Sequence, residues 1–232
     1  MRHRLPILSY AFLLMATTIS NAPARTYTTT FPLIENPISE KNNWINGKTA
    51  GLDWANIRTT KGFAFGTESG GGGYDDSTAL VAGNWGPDQI AEATVHTLNQ
   101  NDNLYEEVEL RLRSSLSAHS ATGYEINFRC SKTGGTYVQI VRWNGPLGKF
   151  SYITTTKGPG LSDGDVVKAI IIGKVITAYI NGVQVLQGTD STYSNGSPGV
   201  GFFLQSGTGM NGDYGFTRFT ATDEPKKRDP RS

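Results

Sequence analysis

Residues 105–113 read YEEVELRLR, and from Glu107 onward the segment alternates. Glu107, Glu109, Arg111 and Arg113 share one parity, while Val108, Leu110 and Leu112 share the other. Successive strand side chains point to opposite faces, so this pattern predicts a half-buried strand with a charged side. Two carboxyls are what glycoside hydrolysis requires, about 5–5.5 Å apart for retention and about 6.5–9.5 Å for inversion. Along a strand, Glu107 and Glu109 have Cα atoms about 6.6–6.8 Å apart, and their carboxyls reach either separation. Arginines suit a different reaction. With an amide they neutralise a uronate carboxylate while a His or Tyr moves the neighbouring proton.

A charged strand needs neighbours that continue its face. Residues 124–130, YEINFRC, alternate in the same way and follow the connection SSLSAHSAT. An antiparallel register with Arg111 opposite Glu125 sets Glu109 against Asn127 and Glu107 against Arg129. It also sets Leu112, Leu110 and Val108 against Tyr124, Ile126 and Phe128. Slipping by two residues in one direction opposes Glu109 to Glu125, a destabilising like-charge pair. The other slip opposes Arg113 to Glu125, so the faces are better specified than the register. Extending the face upstream to residues 89–98 adds Glu92 and His96, and extending it downstream to 137–143 adds Gln139 and Trp143. The expected site is therefore His96, Glu107, Glu109, Arg111 and Arg129 as catalytic candidates. Glu92, Asn127, Gln139 and Trp143 are the substrate-binding candidates. Such a mixture suits sugar hydroxyls with one aromatic platform. The plain alternative for Glu107, Arg111, Glu125 and Arg129 is a solvated lattice of cross-strand ion pairs, each worth roughly 0.2–1 kcal/mol.

The elements that must position these residues are strands. Glycine is abundant and helical periodicity is absent after residue 24, whereas short alternating segments recur between Gly, Asn, Asp and Pro. Strands are expected at 62–67, 89–98, 107–113, 124–130, 137–143, 149–154, 166–172, 175–180, 200–205 and 214–222, as in an antiparallel sandwich or jelly roll. Residues 70–73, GGGG, open a stretch continuing through YDDSTALVAGNWGPD that reads as a long mobile loop rimming a binding face. No Lys-Ser/Thr or helix follows, so it is no phosphate loop.

Residues 1–24 resemble a secretory signal, with Arg2 and Arg4 before a largely apolar run and Ala22-Pro23-Ala24 as a cleavage site. The expectation is a secreted, extracellular or periplasmic protein, with one domain over 25–222 and a disordered charged tail at 223–232. With 21 basic and 20 acidic residues, the chain offers no electrostatic case for nucleic acid or, once the signal is cleaved, for membrane. The single Cys130 excludes an intramolecular disulfide and shares its parity with Tyr124, Ile126 and Phe128, which marks a buried thiol. Three histidines, one of them His3, make no imidazole metal cluster. His119 reads as a solvated loop residue. Trp44, Trp54 and Trp85 read as packing residues. No cofactor is expected. A structural Ca²⁺ could draw on Asp75, Asp76, Asp88, Asp190 and Asp213.

The segment 166–186, VVKAIIIGKVITAYINGVQVL, follows Asp163-Gly164-Asp165 and carries tight hairpins at Gly173-Lys174 and Asn181-Gly182. With the later SPGVGFFLQSG and YGFTRFTAT, it resembles the laminin-G-like branch of the concanavalin A-like lectin/glucanase superfamily, over roughly residues 44–222. The resemblance implies two antiparallel sheets face to face, a glycan held on the concave polar face, and a polysaccharide or oligosaccharide as partner. It spans sugar-binding modules, glycoside hydrolases, polysaccharide lyases and adhesion domains, and fold does not choose among them. The laminarinase-like branch carries E-x-D-x-E or E-x-D-x-x-E. Here Leu110-Arg111-Leu112 supplies no third acid, which counts against that hydrolase. The residue types of jelly-roll alginate lyases occur, but their motif strings do not. Polysaccharide binding is therefore the leading expectation, with a lyase or hydrolase on the same face as the alternative and an adhesion domain as the third.

Overall fold

The computed structural model describes residues 24–71, 73–98, 105–132, 134–205 and 210–223. Nearly all of the expected export signal and of the charged tail, and Gly72 of the glycine run, lie outside the described residues. Among the described residues fifteen strands run in chain order, beginning with β1 (Thr26–Thr29), β2 (Trp44–Asn46), β3 (Arg58–Thr60), β4 (Phe63–Phe65) and β5 (Ser77–Val81). Then come β6 (Gln89–Thr97), β7 (Tyr105–Ser117), β8 (Ser120–Arg129), β9 (Val138–Gly145) and β10 (Phe150–Thr156). The last five are β11 (Val166–Ile172), β12 (Val175–Ile180), β13 (Val183–Thr189), β14 (Ser197–Gln205) and β15 (Tyr214–Asp223).

They form two antiparallel sheets, so the all-β sandwich expected from the alternation is the fold. One sheet runs β10-β9-β8-β7-β14-β5-β2; the other runs β13-β12-β11-β6-β15-β4-β3, with β1 on β15. Between them lies one core. The first sheet contributes Val108, Leu110, Leu112, Ile126, Phe128 and Phe202; the second contributes Ala91, Ala93, Val95, Val167, Ile171 and Phe216. Full burial of each large apolar side chain stabilises by about 1.5–3 kcal/mol. Cys130 is buried within this core, where burial pushes its thiol well above the ordinary value. Trp44, Trp54 and Trp85 are buried too.

Local chemistry explains the hairpins. Asn181 and Gly182 have φ of 50° and 78°, the paired left-handed turn that joins β12 to β13. The β7–β8 connection is shorter than SSLSAHSAT suggests: both strands extend until only Ala118 and His119 lie between them. His119 is exposed and its Nδ1 lies 2.8 Å from Asp53 Oδ1.

Two expectations are corrected. Ser77–Val81 is not mobile loop but a fully buried strand, β5, paired with β14 on one side and β2 on the other. Its β-branched and apolar residues fill a strand too short to stand out beside a glycine run. Residues 89–97 do not adjoin the charged strand. They form β6, in the opposite sheet between β11 and β15. Period two fixes which side chains face the core but not from which sheet, and β6 and β7 enter the same core from opposite sides.

Candidate functional site

The register expected between β7 and β8 is the observed one: Glu107 opposes Arg129, Glu109 opposes Asn127, and Arg111 opposes Glu125. On the next strand Gln139 opposes Asn127, and Trp143 opposes Gly123. These side chains share the face turned away from the core. Arg113 leaves it. A bulge between Leu112 and Ser115 turns the strand, Arg113 takes φ 46°, and its Nε donates to Pro87 O at 2.5 Å. Gly123 faces this bulge, and a Cβ there would lie 2.5 Å from Ser114 Cα, so the turn needs glycine.

The face is not the solvated lattice of the plain alternative. Glu109, Arg111, Glu125 and Asn127 are each at most 5% exposed. Arg111 is the hub. Its Nη1 lies 2.8 Å from Glu125 Oε2, and its Nη2 donates to Glu109 Oε2 at 2.6 Å and to Asp76 Oδ2 at 3.4 Å. Gly201 of β14 makes room for this pair, because a Cβ there would collide with Glu109 Oε2. Burial disfavours the Arg111 charge, but Glu125, Glu109 and Asp76 outweigh it and raise its affinity for the proton. Burial, then the Glu125 charge, holds the Asp76 and Glu109 carboxyls well above the carboxylate range.

Glu107 lies beside this hub. It accepts hydrogen bonds from Tyr137 Oη and from Asn127 Nδ2, the latter at 2.8 Å. Burial, reinforced by the Glu125 charge, pushes Glu107 up to about 7, although both hydrogen bonds oppose the shift. The same Asn127 nitrogen lies 3.4 Å from Glu125 Oε1. Burial and the adjacent Glu107 raise the Tyr137 phenol in turn.

These groups floor a cleft of about 260 Å³ whose walls are aromatic. Tyr74, Tyr105, Tyr137, Phe150, Tyr152 and Phe203 line it. Tyr152 is 58% exposed, Tyr74 50% and Tyr105 43%, so three rings stand open to solvent at the rim. Tyr74 meets Phe150 edge-on at 5.0 Å, and Phe150 meets Tyr152 at 5.4 Å.

Of the expected site residues, Glu107, Glu109, Asn127, Gln139 and Trp143 line the cleft. Arg111 lies beneath it. Arg129 is buried with its guanidinium 4.2 Å from the Tyr105 ring, and its Nη1 donates to Gly135 O at 2.7 Å. Trp143 has the expected parity but is no open platform. It is 3% exposed, packs on Trp54 with ring centroids 4.3 Å apart, and donates from Nε1 to Glu125 Oε2 at 2.5 Å. His96 and Glu92 are on the other sheet. His96 pairs with Gly215 and its Nδ1 lies 2.8 Å from Asp163; Glu92 pairs with Lys168 in a 2.6 Å salt bridge.

Sequence reasoning names Asp76 only as a possible Ca²⁺ ligand, not as part of the floor, and misses most of the wall. Asp76 supplies the acid that the β7 string lacks, but from the approach to β5, whose strand went unrecognised. Phe203 carried a usable signal: Phe202 and Phe203 are consecutive in a strand, so only one can face the core. Tyr137, Val141 and Trp143 share Gln139's parity, which places Tyr137 on the polar side.

The aspartates expected to hold Ca²⁺ do not converge. Asp88 contacts Arg113 and Gly173, Asp190 contacts Tyr124 and Arg142, and only Asp76 joins an acidic cluster. In that cluster Asp76, Glu109 and Glu125 bring oxygens within 4.8 Å of one another. A guanidinium, Arg111, already supplies the positive charge there, so the set does not fit a resident calcium ion.

No protein-family model and no curated protein matches the chain. Solved structures do. The carbohydrate binding module CBM66 from Bacillus subtilis has a TM-score of 0.53 at 18% identity, covering 81% of this chain and 96% of that one. The exoplasmic/lumenal domain of VIP36, in its Ca²⁺/Man-bound form, has a TM-score of 0.58 at 10% identity, covering 86% and 92%. The fold is the concanavalin A-like jelly roll. A third likeness is to an endo-β-galactosidase from Clostridium perfringens that releases GlcNAcα1-4Gal, with a TM-score of 0.51 at 12% identity, covering 91% of this chain and 65% of that one. At such identities the likeness is one of fold. Within this jelly roll, the seven-stranded sheet carries the cleft and the eight-stranded sheet carries an open polar face.

Proposed function

We propose that the chain binds a glycan in the cleft over β7, β8 and β9. One observation carries the reading: a floor of buried, oriented polar groups lies beneath aromatic walls, three of whose rings are open to solvent. Sugar rings have apolar faces that stack on aromatic rings and hydroxyl edges that bond to carboxylates and amides. The carbohydrate binding module and the mannose-bound VIP36 domain, which have this fold, support the reading, and the basic-then-apolar N-terminus supports export to where polysaccharides are met. The test is retention on insoluble cellulose, xylan, chitin and β-glucan, with affinity electrophoresis for soluble glycans. Retention is expected, and Tyr152→Ala should weaken it about tenfold with an unchanged melting temperature, since the ring is mostly exposed. Absence of retention across the panel would overturn the proposal.

A second reading, glycoside hydrolysis, is favoured by Glu107. A carboxyl held near 7 at the cleft floor can donate a proton at neutral pH, and Glu125 reaches the same Asn127 amide. New reducing ends that disappear in Glu107→Gln would establish it. A lyase that uses His96 as its base has no support, because His96 is on the opposite sheet.

A further inference from the structure

The floor of the cleft consists almost entirely of hydrogen-bond acceptors. Asp76, Glu107, Glu109 and Glu125 present carboxyls to it. Most of the protein's own donors nearby are already engaged; Arg111 Nε is the exception, buried without a hydrogen-bond partner. Arg111 serves Glu109, Glu125 and Asp76. Trp143 Nε1 serves Glu125, and Tyr137 serves Glu107. Asn127 Nδ2 is divided among Glu107, Glu125 and Gln139 Oε1. Two acceptors of the floor still have no hydrogen-bond partner: Glu109 Oε1 and Asn127 Oδ1, on side chains 0% and 5% exposed. An unpaired buried acceptor is destabilising, and a group at this position that brings a donor relieves it.

We infer that the cleft selects a saccharide without negative charge, one that presents hydroxyl or ammonium donors to Glu109 Oε1 and Asn127 Oδ1, and that it rejects uronates and sulfated sugars. This rests on the glycan-binding reading and adds to it the chemical class of the ligand. Four carboxyls oppose an anionic sugar. The Arg111 guanidinium is ringed by three of them, and Arg129 already donates to Gly135 O, packs on the Tyr105 ring and offsets the charge of Glu107. Burial raises the proton affinity of Asp76 and Glu109, and a ligand ammonium beside them favours their ionised forms. A free-amine sugar therefore ranks above a neutral one, and its binding releases protons.

The test uses three 1,4-linked hexasaccharides in titration calorimetry with the full chain: cellohexaose, a glucosamine hexamer and a galacturonate hexamer. Neutral and basic probes are expected to bind, the galacturonate hexamer at least about tenfold more weakly, since like charges brought together oppose binding strongly. Repeating the glucosamine titration in buffers of different ionisation enthalpy should reveal proton release. Glu107→Gln should narrow the gap between cellohexaose and galacturonate; should that variant fail to fold, the wild-type ranking decides alone. Galacturonate binding as tight as cellohexaose, and lost in Tyr152→Ala, would overturn the charge selection while leaving the glycan site standing. No binding by any probe, together with no retention on the polysaccharide panel, would overturn both.

Discussion

The two sheets of this jelly roll carry two polar faces built by the same alternation and left in different states. On the eight-stranded sheet, Glu92 and Lys168 form a 2.6 Å pair with side chains 39% and 34% exposed. Beside them Thr26 meets Thr222, and Thr28 meets Thr220, through their hydroxyls. On the seven-stranded sheet, Glu109, Arg111 and Glu125 pair just as closely but lie beneath Trp54, Trp143 and the aromatic walls. A polar strand face is ordinary. A polar face roofed by aromatic rings, with buried acceptors left over, is not. Water screens the first network, whereas the second must satisfy itself or be satisfied by a ligand.

The sharpest way to break the comparison is to remove each face's cation. Arg111→Met leaves Asp76, Glu109 and Glu125 buried without their shared partner, and should destabilise by about 3–5 kcal/mol in urea denaturation. A loss below about 1 kcal/mol would mean that the carboxyls simply take up protons, and that the two faces do not differ in kind.

The roof is the next target. Trp143→Ala should cost about 3 kcal/mol, because it removes a buried ring packed on Trp54 and the donor to Glu125. This puts a packed ring where the sequence suggests an aromatic platform for sugar. Weakened glycan retention at unchanged stability would restore the open-platform role.

Titration sharpens the contrast further. Glu107 sits near 7 in the fold against an ordinary 4.5, with Tyr137, Asn127, Glu125 and Arg129 around it. A raised carboxyl makes the folded state the better proton binder. Its contribution to stability is full below about pH 4.5 and is lost as pH rises through 7. Each tenfold gain in proton affinity is worth about 1.4 kcal/mol, so the loss is of order 3 kcal/mol at most. Glu68, pushed to about 7, and Glu106, pushed to about 8, act with the same sign. Melting temperature should therefore fall between pH 5 and pH 8, and Glu107→Gln should flatten that slope. An identical slope in the variant would take Glu107 out of the account.

Much of this was legible in the residues. The β7–β8 register followed from charge, because each carboxylate needed a cation or an amide across the strand gap. The core followed from parity, and the β12–β13 turn from Asn181-Gly182. What escaped depends on layers. Nothing in QIAEATVHT says which sheet it joins, so His96 and Glu92 were placed on the wrong face. Nothing in YEEVELRLR says that rings from other elements cover it. Cover comes from Trp54, Tyr74 and Phe203, all distant in sequence, and β5 was too short and too close to the glycine run to reveal Asp76 as part of the floor.

The smallest effect belongs to the open face, and it is the control. Lys168→Ala removes an exposed ammonium from Glu92 in a pair open to water and salt. Such pairs contribute about 0–1 kcal/mol, so the variant should unfold within about 1 kcal/mol of wild type and hold glycan as well. Its small loss should shrink further in 1 M salt, where the Debye length is about 3 Å. The Arg111 variant's deficit should not shrink, because its carboxyls lie where ions do not reach. Should both losses fall equally with salt, the seven-stranded sheet's network would be as wet as the other, and the aromatic roof would not seal it.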